Sequence, residues 1–412
     1  MAQDDIIAAL DIGSSKITCF IAENDPLNGI RVLGIGHHAS GGVKAGNIID
    51  MDSAEGAIRA AVTGAEEMAE TTVRDITVNI SAGQMRSAMS DHKVPISGGA
   101  ISDTDLNKLL LECRSFKDDD ESSLIHAIPV SFHVDGEAGI HDPRGLHGRE
   151  LGVRMHSVSV STAAIYNLAT CVSRCHLGLR DVVATPYATG LGCLVEDELD
   201  LGVTVIDIGA GTTSFSVFFD GAMVFVDSIP VGGWHVTSDI ARGLSTPIYQ
   251  AERIKTLYGS CEGVPSDERT MIAVHQIGEE NEIAPEQVPK SMLTGIIAPR
   301  VEEILEIVRS HLLASGLDKV AGRRAVLTGG ACQLAGMQEL AAKILNKQIR
   351  IGRPRGIAGL AEAMDGPAFS VNAGLLAFAV DDQGEIRQTA NDEYRTTGSL
   401  FGRLGDWFRE NF

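Results

Sequence analysis

Two stretches of the chain share one plan. Residues 6–21 read IIAALDIGSSKITCFI and residues 203–218 read VTVIDIGAGTTSFSVF. In each, an apolar strand runs into Asp-Ile-Gly, small or hydroxylated residues follow, and a second alternating strand leaves. Each stretch therefore reads as a hairpin with a turn rich in Gly, Ser and Thr. A repeat at so long a spacing fits two related lobes, not a solenoid.

The turns suggest their chemistry. Glycine lets backbone approach an anion closely, and successive N–H groups and hydroxyls cradle phosphate oxygens. An aspartate at a strand end suits Mg²⁺, often through water. One such turn alone is an ordinary hairpin; two copies favour a nucleotide whose phosphates are gripped between facing turns. The candidates are Asp11, Gly13, Ser14, Ser15 and Lys16 in the first turn, and Asp207, Gly209, Ala210, Gly211, Thr212 and Thr213 in the second. Asp11 and Asp207 are the candidates for Mg²⁺, held through water. A third element, RRAVLTGGACQLAGM (323–337), is a strand, Thr-Gly-Gly, then a helical stretch. By itself it is any strand–helix connection; after the second hairpin, Gly329, Gly330 and Gln333 suit backbone that passes a purine and ribose. PAFSVNAGLLAFAV (367–380) reads as a small-residue helix for tight packing, with ATPYATGLGCLVE (184–196) its counterpart in the first half.

Composition narrows the partners. The 412 residues carry a net charge of −21 and are 44% hydrophobic, which supports real cores and opposes nucleic acid. Met1–Asp5 lacks a basic leader segment, and Asp11 interrupts the apolar run from Ile6. No run approaches the roughly eighteen apolar residues of a spanning helix, and the seven scattered cysteines fit a reducing cytoplasm. Cys171, Cys175 and His176 hint at metal, but no second ligand pair matches, so buried structural thiols are expected. The five histidines from His126 to His156 also lack metal spacing.

With five elements in this order, the chain resembles the actin-like ATPase superfamily of actin, sugar kinases and seventy-kilodalton chaperones. Within it, the chain is most similar to the FtsA family of bacterial cell-division proteins. The resemblance rests on VIDIGAGTT, VLTGGACQLAG, QIRIGRPRGIAGL (348–360), VTSDIARGLSTPIYQAERIK (236–255) and an aromatic tail. It spans essentially the whole chain and is specific as a combination. It implies an α/β, bilobal actin-like fold of the duplicated ribonuclease-H type, with inserted subdomains and a C-terminal amphipathic helix. The first lobe is expected at 1–83 and 162–201, with an αβ insertion at 84–161 used for end-to-end polymer contacts. The second is expected at 202–236 and 293–380, with an insertion at 237–292. The resemblance also implies ATP and Mg²⁺ as cofactors, self-assembly into a filament, and downstream divisome membrane proteins as partners. It further implies that the second lobe receives the C-terminal tail of the tubulin-like protein FtsZ. There Arg300 and Glu303 match a family pattern, against the blander reading of an exposed helix start. Glu252 and Lys255 match the family pair that reaches adenosine, although their spacing equally suits a surface pair.

Local patterns fill in the rest. Ser53 is expected to cap a helix with Ala57, Ala61 and Met68 on its apolar side. RDITVNISAG (74–83) reads as a strictly alternating strand. Within the first insertion a helix is expected near Asp103–Arg114, with strands around Ile125–Val134 and Met155–Val160. The acidic run Asp118–Glu121 reads as a solvated loop before a cation site. Hydrolysis needs a group that deprotonates water. The position where actin-like ATPases place Gln or Glu matches Thr185, which is no base near neutral pH, so slow or negligible turnover is expected.

The chain ends SLFGRLGDWFRENF (399–412). At about 100° per residue, Leu400, Phe401, Leu404, Trp407, Phe408 and Phe412 share an arc of roughly 140°. Arg403, Asp406, Arg409 and Glu410 oppose them, and Ser399 suits an N-cap. A polar stretch at 381–398 reads as a flexible tether. The tail is expected to lie on the cytoplasmic face of the inner membrane, at the division site and bound to its lipid. With its charges balanced, it must rely on apolar burial, at about 1.5–3 kcal/mol per large side chain fully buried. A single tail then binds reversibly, and a polymer of many holds firmly. The alternatives are an actin-like assembly ATPase of pilus or secretion machinery, and a metabolic kinase of the same superfamily. Neither explains the tail.

Overall fold

The computed structural model describes residues 6–25, 29–82, 84–114, 121–278 and 285–380. In the first lobe, β1 (Ile6–Ile12) and β2 (Lys16–Asp25) form the first expected hairpin, with Asp11 opposite Thr18 and Ile12 opposite Ile17. Its second strand does not alternate: Ile17–Ala22 are all buried, because both faces of this sheet are covered. β3 (Gly29–Ala39) extends the hairpin, and β4 (Val43–Lys44) pairs with β5 (Asn47–Ile48).

Next comes α1 (Met51–Ala69). Its cap is Asp50, not Ser53: the Asp50 carboxylate accepts from the Ser53 N–H at 3.2 Å. A carboxylate is a strong acceptor at a helix N-terminus, where the helix dipole also favours it. Ala57 and Ala61 are buried as expected, but Met68 lies at the rim, 58% exposed. β6 (Asp75–Ile80) runs parallel to β1. It is buried from Ile76 to Ile80, not alternating, because it too lies inside the sheet.

The chain then leaves the lobe as β7 (Arg86–Ala100), α2 (Asp103–Arg114), β8 (Ser122–Val134), β9 (Glu137–Ile140) and β10 (His147–Ser161). These strands make an antiparallel sheet in the order β7-β10-β8-β9. α2 falls where the sequence places it, whereas β10 starts well before the expected Met155. Leu109, Leu151 and Val153 centre a separate small core. This unit also leans on the second lobe, where the Val226 N–H donates to Ser87 Oγ at 3.3 Å.

Back in the first lobe are α3 (Thr162–Arg174), β11 (Gly178–Ala184), α4 (Thr185–Cys193) and α5 (Glu196–Leu201). β11 lies parallel to β6. The second lobe opens with β12 (Val203–Ile208), β13 (Thr213–Phe219) and β14 (Ala222–Ile229). β12 and β13 are the second hairpin, with Asp207 opposite Ser214 and Ile208 opposite Thr213. There follow α6 (Gly233–Gly243), α7 (Ile248–Tyr258), the antiparallel pair β15 (Met271–Val274) and β16 (Glu286–Pro289), and α8 (Lys290–Ala314). β17 (Arg324–Thr328), α9 (Met337–Leu345) and β18 (Gln348–Ile351) complete a sheet in the order β14-β13-β12-β17-β18. A two-residue strand, β19 (Ile357–Ala358), returns to the edge of the first sheet, giving β11-β6-β1-β2-β3-β19.

The last described helix, α10 (Ser370–Val380), packs on α4 with the expected intimacy. A Cβ on Gly374 would stand 1.6 Å from the Ala188 carbonyl oxygen, and one on Gly192 2.0 Å from that of Ser370. Only backbone without side chains allows helices to meet this closely. One core runs from the first sheet through α4 and α10 onto one face of the second sheet, taking in Val205, Phe218 and Val326, and so joins the two lobes; a separate core covers the second sheet's other face. Among the described residues, no helix is long and apolar enough to cross a membrane. The tether at 381–398, the tail with Leu400, Phe401, Leu404, Trp407, Phe408 and Phe412, and residues 118–120 of the acidic run lie outside the described residues.

Candidate functional site

The two Asp-Ile-Gly turns close in the same way. The Gly13 N–H donates to the Lys16 carbonyl at 3.1 Å, and the Gly209 N–H to that of Thr212 at 2.9 Å. The amides of Ser14, Ser15, Ala210 and Gly211 are not used in closure, which suits them to an anion. The turns also meet each other. A Cβ on Gly211 would lie 2.5 Å from Ser14 Oγ, itself bonded to the Gly46 N–H at 3.2 Å.

Between the turns opens a cavity of about 600 Å³. It is lined by Asp11, Gly13, Ser14, Ser15, Lys16, Asp207, Gly209, Ala210, Gly211 and Thr212, and further out by Glu252, Lys255, Gly329, Gly330 and Gln333. Of the sequence-derived nucleotide residues only Thr213 does not line it: its hydroxyl donates to the Val231 carbonyl at 2.8 Å. A second cavity, about 770 Å³, adjoins the first at Ser81 and Thr212 and runs under the inserted unit past Arg86 and Ser228. It contains neither aspartate.

Charge concentrates at the floor. Burial pushes the Asp11 carboxyl up to about 6, against the pull of the Lys16 ammonium and a hydrogen bond from Asn79. Burial and the neighbouring Asp11 push Asp207 up to about 7, with Thr189 and Lys16 opposing. Burial lowers Lys16 to about 8, the two carboxylates holding it up, and its Nζ stands 3.3 Å from the Phe369 ring centroid. Two buried carboxylates facing one ammonium leave uncompensated negative charge. A hard divalent cation with oxygen ligands fits that donor set, and would restore both groups to their ionised form.

Against Asp207, Gly329 adopts φ +86°, and a Cβ there would stand 2.2 Å from Asp207 Oδ1. Gln333 Nε2 donates to the Gly330 carbonyl at 3.3 Å. Glu252 and Lys255 are no loose surface pair. Lys255 Nζ donates to Glu252 Oε2 at 2.7 Å, to Thr237 Oγ1 at 2.8 Å and to the Gly233 carbonyl at 3.2 Å, tying α7 to the start of α6.

Thr185 is buried. Its hydroxyl accepts from Asn79 Nδ2 at 3.1 Å and lies 2.7 Å from Ser81 Oγ. Arg300 and Glu303 lie elsewhere, on α8. There the Arg300 guanidinium bonds Asp239 at 2.6 Å and also Glu303. They do not mark a helix start, because Pro299 lies inside α8. Cys171 sits in the core, its thiol pushed up to about 12 by burial. His126 Nε2 accepts from the Ala184 N–H at 2.9 Å, and buried His156, pushed down to about 4, bonds Ser87 at 2.7 Å.

Sequence reasoning missed Asn79, Thr189 and Phe369. Only Asn79 left a signal, as an amide amid the apolar residues of ITVNI.

Comparison with known proteins agrees with this architecture. Residues 204–374 match the family described as Cell division protein FtsA, and residues 82–159 match the SHS2 domain inserted in FtsA. The cell division protein FtsA of Agrobacterium fabrum is 42% identical over 99% of this chain and 95% of its own length. That of Neisseria meningitidis is 34% identical over 100% and 99%, and that of Escherichia coli 29% over 99% and 98%. Two solved structures share the fold. A chain of the PilM–PilN type IV pilus biogenesis complex has a TM-score of 0.64 at 18% identity, over 91% of this chain and 98% of that one. MreB5 of Spiroplasma citri bound to ADP has 0.53 at 15%, over 94% and 98%.

Proposed function

The chain belongs to the FtsA family of cell division proteins, and from that premise we propose that it binds ATP with Mg²⁺ between its lobes, assembles on the cytoplasmic membrane face and tethers the FtsZ ring there. The observation that carries the nucleotide part is the pair of turns facing across one cavity, each ending its strand in a buried aspartate. The turn amides, with Ser14, Ser15, Lys16 and Thr212, take the phosphates, while Asp11 and Asp207 hold Mg²⁺ through water. Glu252, Lys255, Gly329, Gly330 and Gln333 receive the nucleoside. The cation supplies charge neutralisation at the phosphates. With Thr185 bonded to Asn79 and Ser81 and no carboxylate in its place, turnover is slow.

The remaining assignments follow the family. The lobes take 1–83 with 162–201 and 202–236 with 293–380, and the insertions 84–161 and 237–292. The first insertion makes filament contacts and receives downstream divisome membrane proteins. Arg300 and Glu303 meet the FtsZ tail, and the aromatic tail holds the membrane by apolar insertion. The test is co-sedimentation with liposomes of the full chain and of a chain stopped at Gly398, each with FtsZ, with and without ATP. The full chain should pellet, carry FtsZ down, and do so more strongly with ATP; the shortened chain should stay in solution. Equal pelleting of both rules out the tail as anchor.

A further inference from the structure

The parallel ladder of β1 and β6 pairs Ala9 with Thr77 and Leu10 with Val78, and goes no further. On its other side β6 stays paired, Asn79 with Val183 and Ile80 with Ala184. The two strands therefore part just where Asp11 enters the cleft. Asn79 fills the gap with its side chain. Its Oδ1 accepts the Ile12 N–H at 2.7 Å, while Nδ2 donates to Asp11 Oδ1 at 2.8 Å and to Thr185 Oγ1 at 3.1 Å. The residue is 3% exposed. Its partners fix the amide orientation, since only the oxygen can accept from a backbone N–H and only the nitrogen can donate to a carboxylate. The amide carries no charge, so it orients the carboxylate without competing with a cation. Asp207 has no comparable support among the described residues, its hydroxyl donor Thr189 standing at 3.5 Å.

We propose that Asn79 is a positioning residue that acts through Asp11, holding its carboxylate turned into the cleft to receive the hydrated divalent cation of a bound nucleotide. The role rests on the nucleotide reading above. Asp11, reaching the cation through water, is itself an outer-shell partner of the kind whose loss typically costs about 10–100-fold in metal affinity. Asn79 acts behind it, at the low end of that range, and residues acting through one another are non-additive.

The experiment titrates a fluorescent ATP analogue into the full chain, in EDTA and in Mg²⁺. The ratio of the two affinities is the metal gain, and binding of Mn²⁺ to the complex by electron paramagnetic resonance is a second readout. Asn79→Leu should bind within about twofold of wild type in EDTA but lose about tenfold of the metal gain. In an Asp11→Asn background it should remove no more. An unchanged metal gain overturns the proposal. So does an equal loss with and without metal, or the same loss in both backgrounds, since a merely structural role gives these. Should Asn79→Leu fail to fold, Asn79→Ser carries the same comparison. A wild-type chain that binds no nucleotide overturns the underlying reading along with this role, and is seen before any variant is made.

Discussion

Aligned by their strand pairing, the two turns match residue for residue: Gly13 with Gly209, Ser14 with Ala210, Ser15 with Gly211, Lys16 with Thr212. What differs is the neighbouring parallel strand. In the first lobe the ladder stops before Asp11, and a side chain, Asn79, reaches across to it. In the second the ladder continues until Thr328 pairs with Asp207, and bare backbone at Gly329 crowds the carboxylate. One aspartate is held by an amide, and the other is enclosed with, among the described residues, only the Thr189 hydroxyl to donate to it, at 3.5 Å. A duplicated hairpin thus keeps its closure while its two copies specialise through the strand beside them. The first also contributes the ammonium, and the second the small residues that let the turns touch.

Gly329→Ala should break the second arrangement most severely. The new methyl would meet Asp207 Oδ1 at 2.2 Å and the Ile208 carbonyl at 2.5 Å, on a backbone at φ +86°. Strain in that region and overpacking against backbone together cost about 3–5 kcal/mol. Urea unfolding should show that loss, and nucleotide binding should vanish with it. Among the described glycines, none would bring a Cβ against Asp11 in this way.

The next effect separates the two carboxylates by pH. Both have folded pKa values, about 6 and about 7, above the ordinary 3.8, because burial disfavours their charge. The folded state then binds protons more tightly than the unfolded one across the window from about 4 to 7. Without nucleotide or metal, stability should fall as pH rises through that window. Replacing either aspartate by Asn removes the penalty. At pH 8, Asp207→Asn should stabilise the empty chain by on the order of 4 kcal/mol, and Asp11→Asn by on the order of 3 kcal/mol, since each pKa unit is about 1.4 kcal/mol. Thermal melts from pH 5 to 8 check both the sign and the order; equal gains would erase the distinction between the turns.

The same contrast shows why the sequence was legible in part. The hairpins could be read because they occur twice, and α4 and α10 because their small residues can only mean close packing. Residues 17–22 and 76–80 look alternating in sequence but are buried throughout. Their Thr residues look like an exposed face, yet Thr18 and Thr77 are fully buried in a sheet with both sides covered. Asp50 and Ser53 both fit the pattern of a cap, and the choice between them depends on where the folded backbone places the Ser53 N–H, which meets the Asp50 carboxylate. Asn79 belongs to no motif. Its role depends on where two strands separate, a property of the sheet and not of any short stretch. Phe369, distant in sequence, reaches Lys16 through the turn that leads into α10.

A milder change tests how closely the turns approach. Gly211→Ala would place a methyl 2.5 Å from Ser14 Oγ and 2.8 Å from Ser14 Cβ. Both belong to the opposite lobe, so the lobes can yield by opening. Fold stability should hardly change, while ATP affinity falls by about tenfold, close to 1.4 kcal/mol. Isothermal titration in Mg²⁺ measures it. Unchanged affinity would mean that the turns need not meet to grip a ligand.

The smallest effect makes the turns alike. Ser14→Ala gives the first turn the side chain that Ala210 already places in the second, and removes the acceptor that Gly46 N–H finds at 3.2 Å. That bond spans the cleft rim, where water reaches the freed amide, so the loss should be about 0.5–1 kcal/mol in urea unfolding. Its value lies in combination with Gly211→Ala. Removing Ser14 Oγ takes away the nearer of the two clashes but leaves the Cβ contact at 2.8 Å. The double variant should therefore regain only part of the tenfold affinity lost by Gly211→Ala, a non-additivity expected of groups in contact. Full additivity would place the two residues out of contact when nucleotide is bound, and would mean that the lobes part and do not close around it.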